Sequence, residues 1–224
     1  MRVVSVICIL IAACFTLCCL AQPPVTAHSS AAFEPEIAAF ETRDQKSPPP
    51  KGAFLFVGSS SIRMWGDLET AFSPKQVINR GFGGSEIRDS THFADRIIAP
   101  YQPRMVLLYA GDNDIAAGRT ADDVLEDFKQ FVLKVRAGLP GVKIAFISIK
   151  PSPSRWKLVS VVRDANRKIQ DYIHQQKRMV YVNVFDAMLD SDGQPKPEFY
   201  KEDKLHPTPA CYAVWKKIIG PYLK

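Results

Sequence analysis

The chain has 224 residues, 46% of them hydrophobic, and its 29 Lys and Arg against 23 Asp and Glu give a formal net charge of +6. That balance would suit a nucleic acid or an anionic envelope surface as partner. The basic residues, however, fall in small groups such as "KVRAGLPGVK" and "HQQKRM", without the long basic runs or interleaved aromatics of a nucleic-acid binder, so the charge reads as solvated surface and no nucleic-acid partner is expected.

The first residues, "MRVVSVICILIAACFTLCCLAQPP", set one basic residue before a nearly uninterrupted apolar run that ends in small residues. This is the pattern of a secretory signal. A membrane anchor would want a basic stop-transfer flank, and prolines follow instead, so no membrane span is expected in the mature chain. Two endings stay open: a peptidase site after Ala21, making 1–21 a signal peptide, or a bacterial lipoprotein signal ending at Cys14 that would leave a lipid anchor. Either implies a secreted, periplasmic or cell-envelope protein. Cys8, Cys14, Cys18 and Cys19 lie in this leader, so cleavage after Ala21 leaves Cys211 alone, unable to form an internal disulfide. The fold must then rest on its core, and residues 51–224 suffice for one domain.

Residues 22–50 read as a linker and a short N-terminal helix. "FEPEIAAFETRDQ" puts Phe33, Ile37 and Phe40 on one side of that helix, and "SPPPKG" ends it. Beyond it come "AFLFV" at 53–57, a shorter "QVINR" at 76–80, "MVLLYA" at 105–110, "KIAFISI" at 143–149 and "VYVNVF" at 180–185. Each is short, continuously apolar and rich in β-branched or aromatic residues, as expected of strands covered on both faces. Between them, "TADDVLEDFKQFVLKVRAGLPG" predicts a helix capped by Thr120, with Val124, Phe128 and Val132 inward and an end near Gly138. "WKLVSVVRDANRKIQDYIHQQ" predicts another, with Leu158, Val162, Ile169 and Ile173 inward. Strands alternating with helices imply a mostly parallel sheet, in which ligands gather beyond the strands' carboxyl ends.

Four polar or glycine-rich segments stand at such places: "GSSS", "GFGGSE", "GDND" and, near the C-terminus, "DKLHPT". Each alone has an ordinary reading as a turn or helix cap. Together they hold the parts of an acyl-transfer site. A serine hydroxyl needs a base to take its proton, and the base needs a carboxylate to orient it. Asp203 and His206, three apart, supply such a pair if one helical or 3₁₀ turn sets them side by side. Glycine backbone in "GFGG" and the Asn113 amide can supply donors to an oxyanion.

The four segments in this order resemble the SGNH hydrolases, also called the GDSL-like esterase and lipase family. The resemblance runs from Phe54 to His206. It implies a flavodoxin-like three-layer α/β/α sandwich with a mostly parallel five-stranded sheet. It implies Ser60, two places after Gly58, as nucleophile, His206 as base and Asp203 as the carboxylate orienting it. The oxyanion donors would be the Ser60 and Gly84 amides and Asn113. The first segment departs from the family's usual Gly-Asp-Ser, with Ser59 where Asp commonly stands.

The expected function is an exported serine esterase or acylhydrolase acting on small acyl groups, with O-acetyl on a carbohydrate among them, and needing no cofactor. No metal is expected, since His28, His92, His174 and His206 lack ligand spacing. Trp65, Arg155 and Trp156 are candidates for a pocket rim, with ordinary packing as the alternative. An α/β-hydrolase would want Gly-x-Ser-x-Gly, but Ile62 stands in the last place. A dinucleotide fold would want a glycine where Glu86 stands. A catalytically silent domain of the same fold, binding a glycan or lipid, is the competing reading.

Overall fold

Short apolar runs without polar alternation must be covered on both faces, and the five runs do form the strands of one sheet. The computed structural model describes residues 28–224; the expected leader, with both of its possible ends, lies outside the described residues. In chain order the elements are α1 (Glu34–Lys46), β1 (Phe54–Gly58), α2 (Ser60–Arg63), α3 (Leu68–Ala71), β2 (Val77–Gly81), α4 (Ile87–His92), α5 (Ala94–Ile97) and β3 (Met105–Tyr109). There follow α6 (Asp112–Ala116), α7 (Ala121–Gly138), β4 (Lys143–Ile147), α8 (Val159–His174), β5 (Met179–Val182) and α9 (Pro209–Ile219). The sheet order is β2-β1-β3-β4-β5 and every pairing is parallel, which is the doubly wound arrangement expected.

Successive strand residues point to opposite faces, so each strand feeds two cores. Leu55, Val57, Val106, Leu108, Ile144 and Phe146 pack with Ile37 of α1, Phe128 and Val132 of α7 and Ile169 of α8. On the other face Phe54, Phe56, Leu107, Tyr109 and Ile147 pack with Leu68 of α3 and with Tyr212, Trp215 and Ile219 of α9. Helix α7 begins where its sequence says it should: Thr120 Oγ1 accepts from the Asp123 amide at 3.1 Å, and Asp123 Oδ2 accepts from the Thr120 amide at 2.9 Å. Two donors that the helix itself leaves free are thereby satisfied.

The N-terminal helix is built into this body. Ile37 is fully buried, Phe33 packs edge-on against Phe82 at 5.3 Å, and the buried Arg80 guanidinium reaches both Asp44 oxygens at 2.6 and 2.7 Å. Residues 30–46 therefore share a core with the region beyond residue 51.

Two expectations change, and for Trp65 one of the two readings left open is observed. Trp65, a candidate rim residue, is 1% exposed. It lies in the second core, stacked on Tyr212 at 4.8 Å and edge-on to Trp215 at 6.1 Å. The helix expected from Trp156 starts later, because Pro153 opens a 3₁₀ turn in which Arg155 leaves helical angles, and α8 proper begins at Val159. Strand β5 stops at Val182 rather than Phe185. There the Val184 and Phe185 amides both donate to Ser148 Oγ, at 2.9 and 3.0 Å, so a side chain replaces the ladder. Cys211 is fully buried against Met188, and burial, outweighing the nearby Lys150 charge, pushes its thiol up to about 12.

Gly58 ends β1 at φ +132, and a Cβ there would lie 1.9 Å from the Tyr109 carbonyl oxygen. Neither backbone can yield without parting β1 from β3. Gly58→Ala is expected to cost about 3 kcal/mol or more of folding stability, read as a lowered urea midpoint at unchanged slope. An unchanged midpoint would show that the strand ends separate freely.

Candidate active site

In a sheet of this order the crevice opens beyond the carboxyl ends of β1 and β3, where successive connections depart in opposite directions. Ser60 sits there as the first residue of α2. The Ser59 amide donates to the Tyr109 carbonyl at 3.0 Å, and the Ser59 carbonyl accepts from the amides of Ile62 and Arg63 at 2.9 and 3.2 Å. The nucleophile candidate is thus fixed from both sides by backbone. The Ser59 hydroxyl makes no capping bond to α2.

Ser60 Oγ lies 3.0 Å from His206 Nε2, although 146 positions separate the two residues. His206 Nδ1 lies 2.6 Å from Asp203 Oδ2. With its proton on Nδ1, the neutral ring donates to Asp203 and accepts from the Ser60 hydroxyl. The Asp-x-x-His pair meets through a tight turn rather than the helical or 3₁₀ turn expected. Lys204 takes a left-handed φ of 55, and Asp203 Oδ1 accepts from the Leu205 and His206 amides, each at 2.9 Å. One carboxylate oxygen holds the backbone and the other holds the imidazole. Burial opposes its charge, yet the His206 and Leu205 amides and the His206 ring bring the Asp203 carboxyl down to about 2.

Asn113, at the start of α6 beyond β3, donates from Nδ2 to the Ser85 carbonyl at 3.0 Å. This brings the third polar segment against the second. Gly84, next to Ser85, is exposed at φ +81 with open space where a Cβ would stand, so its backbone is approachable. The loop that carries it is tied down by Asp89, a fully buried carboxylate. It accepts from Ser30 Oγ and the Glu86 amide and meets His28 Nε2, each at 2.7 Å.

Of the other rim candidates, Trp156 is half-buried, and Arg155 lies against Asn113, with Nη1 and Nη2 each 3.1 Å from Oδ1. Sequence reading missed what stands behind them. Lys150, 2% exposed, reaches Asp112 Oδ2 at 2.6 Å and Ser152 Oγ at 3.0 Å. Arg155 Nη1 reaches Asp112 Oδ1 at 2.8 Å. Burial alone would raise the Asp112 pKa, but these two cations outweigh it and hold the carboxyl below its ordinary range. A lysine directly after the apolar run "KIAFISI" was the available signal, because an unpaired ammonium is rarely buried.

The chain matches the model of the GDSL-like Lipase/Acylhydrolase family over residues 57–214. No curated protein matches it. Among solved structures it is similar to a Streptococcus pneumonia protein named for platelet activating factor, at 22% identity and TM-score 0.75 over 87% of this chain and 94% of that one. A GDSL-like lipase from Bacteroides thetaiotaomicron aligns at 19% identity and TM-score 0.70, covering 87% and 97%. A carbohydrate esterase family 3 protein from Talaromyces cellulolyticus aligns at 20% identity and TM-score 0.55, covering 76% and 96%. At these identities the likeness is one of fold.

Asp114, on the far side of Asn113, has the opposite environment to Asp112. It is fully buried; Oδ1 accepts from the Ile87 amide at 3.0 Å, while Oδ2 has no partner among the described residues. Burial pushes this carboxyl up to about 7, against the Ile87 amide, and the charges of Glu86 and Asp127 add to the rise. Below the unfolded carboxyl pKa both states are protonated and nothing is lost. Above it the unfolded chain gives up a proton that the folded one keeps, so stability falls until the pH reaches about 7. The urea-derived unfolding free energy of the parent should therefore drop relative to Asp114→Asn across that window, by up to about 1.4 kcal/mol per pH unit. A difference that stays flat with pH would rule out the neutral carboxyl.

Proposed function

The chain belongs to the GDSL-like Lipase/Acylhydrolase family, and from that premise we propose that it is an exported serine esterase that removes small acyl groups from hydroxyls, acetyl on carbohydrate foremost. The observation that carries this reading is the unbroken relay from Asp203 through His206 to the Ser60 hydroxyl, at 2.6 and 3.0 Å. In the reaction, Ser60 Oγ attacks the acyl carbonyl as its proton passes to His206 Nε2, and Asp203 steadies the imidazolium. The Ser60 and Gly84 amides and the second Nδ2 hydrogen of Asn113, the one not given to Ser85, receive the oxyanion. Collapse of the tetrahedral adduct expels the alkoxide, which takes the proton from His206. Water then gives its proton to His206 and attacks the acyl-serine, and the acid leaves with Ser60 regenerated.

The substrate reading draws support from the surface beside the relay. A cleft of about 480 Å³ is lined by Met64, Asp67, Lys201, Pro207, Pro209 and Lys216, and the Lys201 amide donates to the His206 carbonyl at 2.9 Å. Its lining is mixed, with Asp67, Lys201 and Lys216 set among Trp65, Ala71 and Tyr212, and the charged side chains offer an alcohol's hydroxyls partners that a long acyl chain has no use for. The carbohydrate esterase named above shares the fold. Export rests on the leader sequence, which lies outside the described residues.

A series of p-nitrophenyl esters from acetyl to palmitoyl tests the reading. The parent should prefer the shortest chain, Ser60→Ala should be inactive yet folded, and His206→Ala should keep only residual turnover. Asn113→Ala should lower kcat by about 10²- to 10³-fold. Full turnover by Ser60→Ala would overturn the mechanism, and a palmitoyl optimum the substrate. A parent silent on these esters and on acetylated glycans would favour the binding-only domain.

A further inference from the structure

Asn113 is an amide, and an amide can face two ways. Turned over, it would present an oxygen where the reaction needs a donor. Its Oδ1 takes both Arg155 Nη1 and Nη2, each at 3.1 Å, and one Nδ2 hydrogen goes to the Ser85 carbonyl at 3.0 Å. With the oxygen committed to a cation, a flipped amide would set its NH₂ against the guanidinium and its oxygen against the Ser85 carbonyl. Both contacts would repel. The observed orientation leaves one N–H unassigned.

Arg155 is itself held in place. Its Nη1 lies 2.8 Å from Asp112 Oδ1, and Asp112 Oδ2 is taken by Lys150 Nζ at 2.6 Å. Lys150 and Asp112 are 2% and 6% exposed. One carboxylate faces two cations here, leaving a net positive charge beside Asn113 where water screens it little. Arg155 departs from helical angles within the 3₁₀ segment that precedes α8.

Resting on the esterase reading above, we propose that Arg155 is a positioning residue for the oxyanion site: it fixes the Asn113 amide with N–H toward substrate and, pulling on Oδ1, makes that N–H a stronger donor. It acts through Asn113, so its contribution belongs to the transition state and to one neighbour only.

The test is a double-mutant cycle on full-length protein with p-nitrophenyl acetate, using Arg155→Ala, Arg155→Lys, Asn113→Ala and both doubles, with Ser60→Ala alongside. Arg155→Ala should lower kcat about tenfold or more with KM changed less than about twofold, and the same substitution on Asn113→Ala should change kcat less than about twofold. Arg155→Lys, which keeps the charge but not the fork, should fall between parent and Arg155→Ala. Millimolar guanidinium should restore part of the Arg155→Ala rate and none of the Asn113→Ala rate. Additive losses, or a loss confined to KM, would overturn the inference. If Arg155→Ala fails to fold, the lysine variant carries the same cycle. Turnover that survives in Ser60→Ala would instead overturn the esterase reading, so the two failures are distinct.

Discussion

The contact on which the rest depends is the approach of two backbones, Gly58 at the end of β1 and Tyr109 at the end of β3. A side chain on residue 58 would overlap the Tyr109 carbonyl, so only glycine lets the strands run parallel to their last residues. That carbonyl then takes the Ser59 amide, and the Gly58 carbonyl takes the Phe82 amide, at 3.0 and 2.9 Å. Three polar segments distant in sequence are registered on one another by main-chain bonds.

Asn113 stands between two buried aspartates with opposite electrostatic fates. Asp112 is held charged by Lys150 and Arg155, which outweigh its burial; Asp114 is pushed toward neutrality by burial that backbone amides offset only in part, with Glu86 and Asp127 adding to the rise. Burial penalises both alike, and partners decide the outcome. The same four-residue segment thus presents a fixed negative charge with two counter-ions on one flank and a protonatable acid on the other.

Much of this was legible in the sequence, and the reasons differ by element. The five strands announced themselves because a parallel sheet covered on both faces requires continuous apolar runs, and α7 because Thr120 and Asp123 satisfy local donors whatever the rest of the chain does. Ser60, Gly84, Asn113, Asp203 and His206 could be picked out as candidates since each follows a strand end or sits in a short block. What stayed hidden depended on distant partners. Trp65 could be rim or core until Tyr212 and Trp215 arrive from α9, and β5 ends early where Ser148, one residue past β4, takes the Val184 and Phe185 amides. No local pattern distinguishes Asp112 from Asp114, for their environments are set by Lys150 and Arg155 in one case and by Ile87 in the other.

Cys211 carries a further consequence. It is the only cysteine among the described residues, and its thiol lies at the base of α9 with burial holding it in the protonated form. Thiolates, not thiols, undergo oxidation and exchange. An oxidant reaching the folded body would therefore find no reactive thiolate among the described residues with which to crosslink two folded copies, and the domain holds together through its two cores rather than through a disulfide.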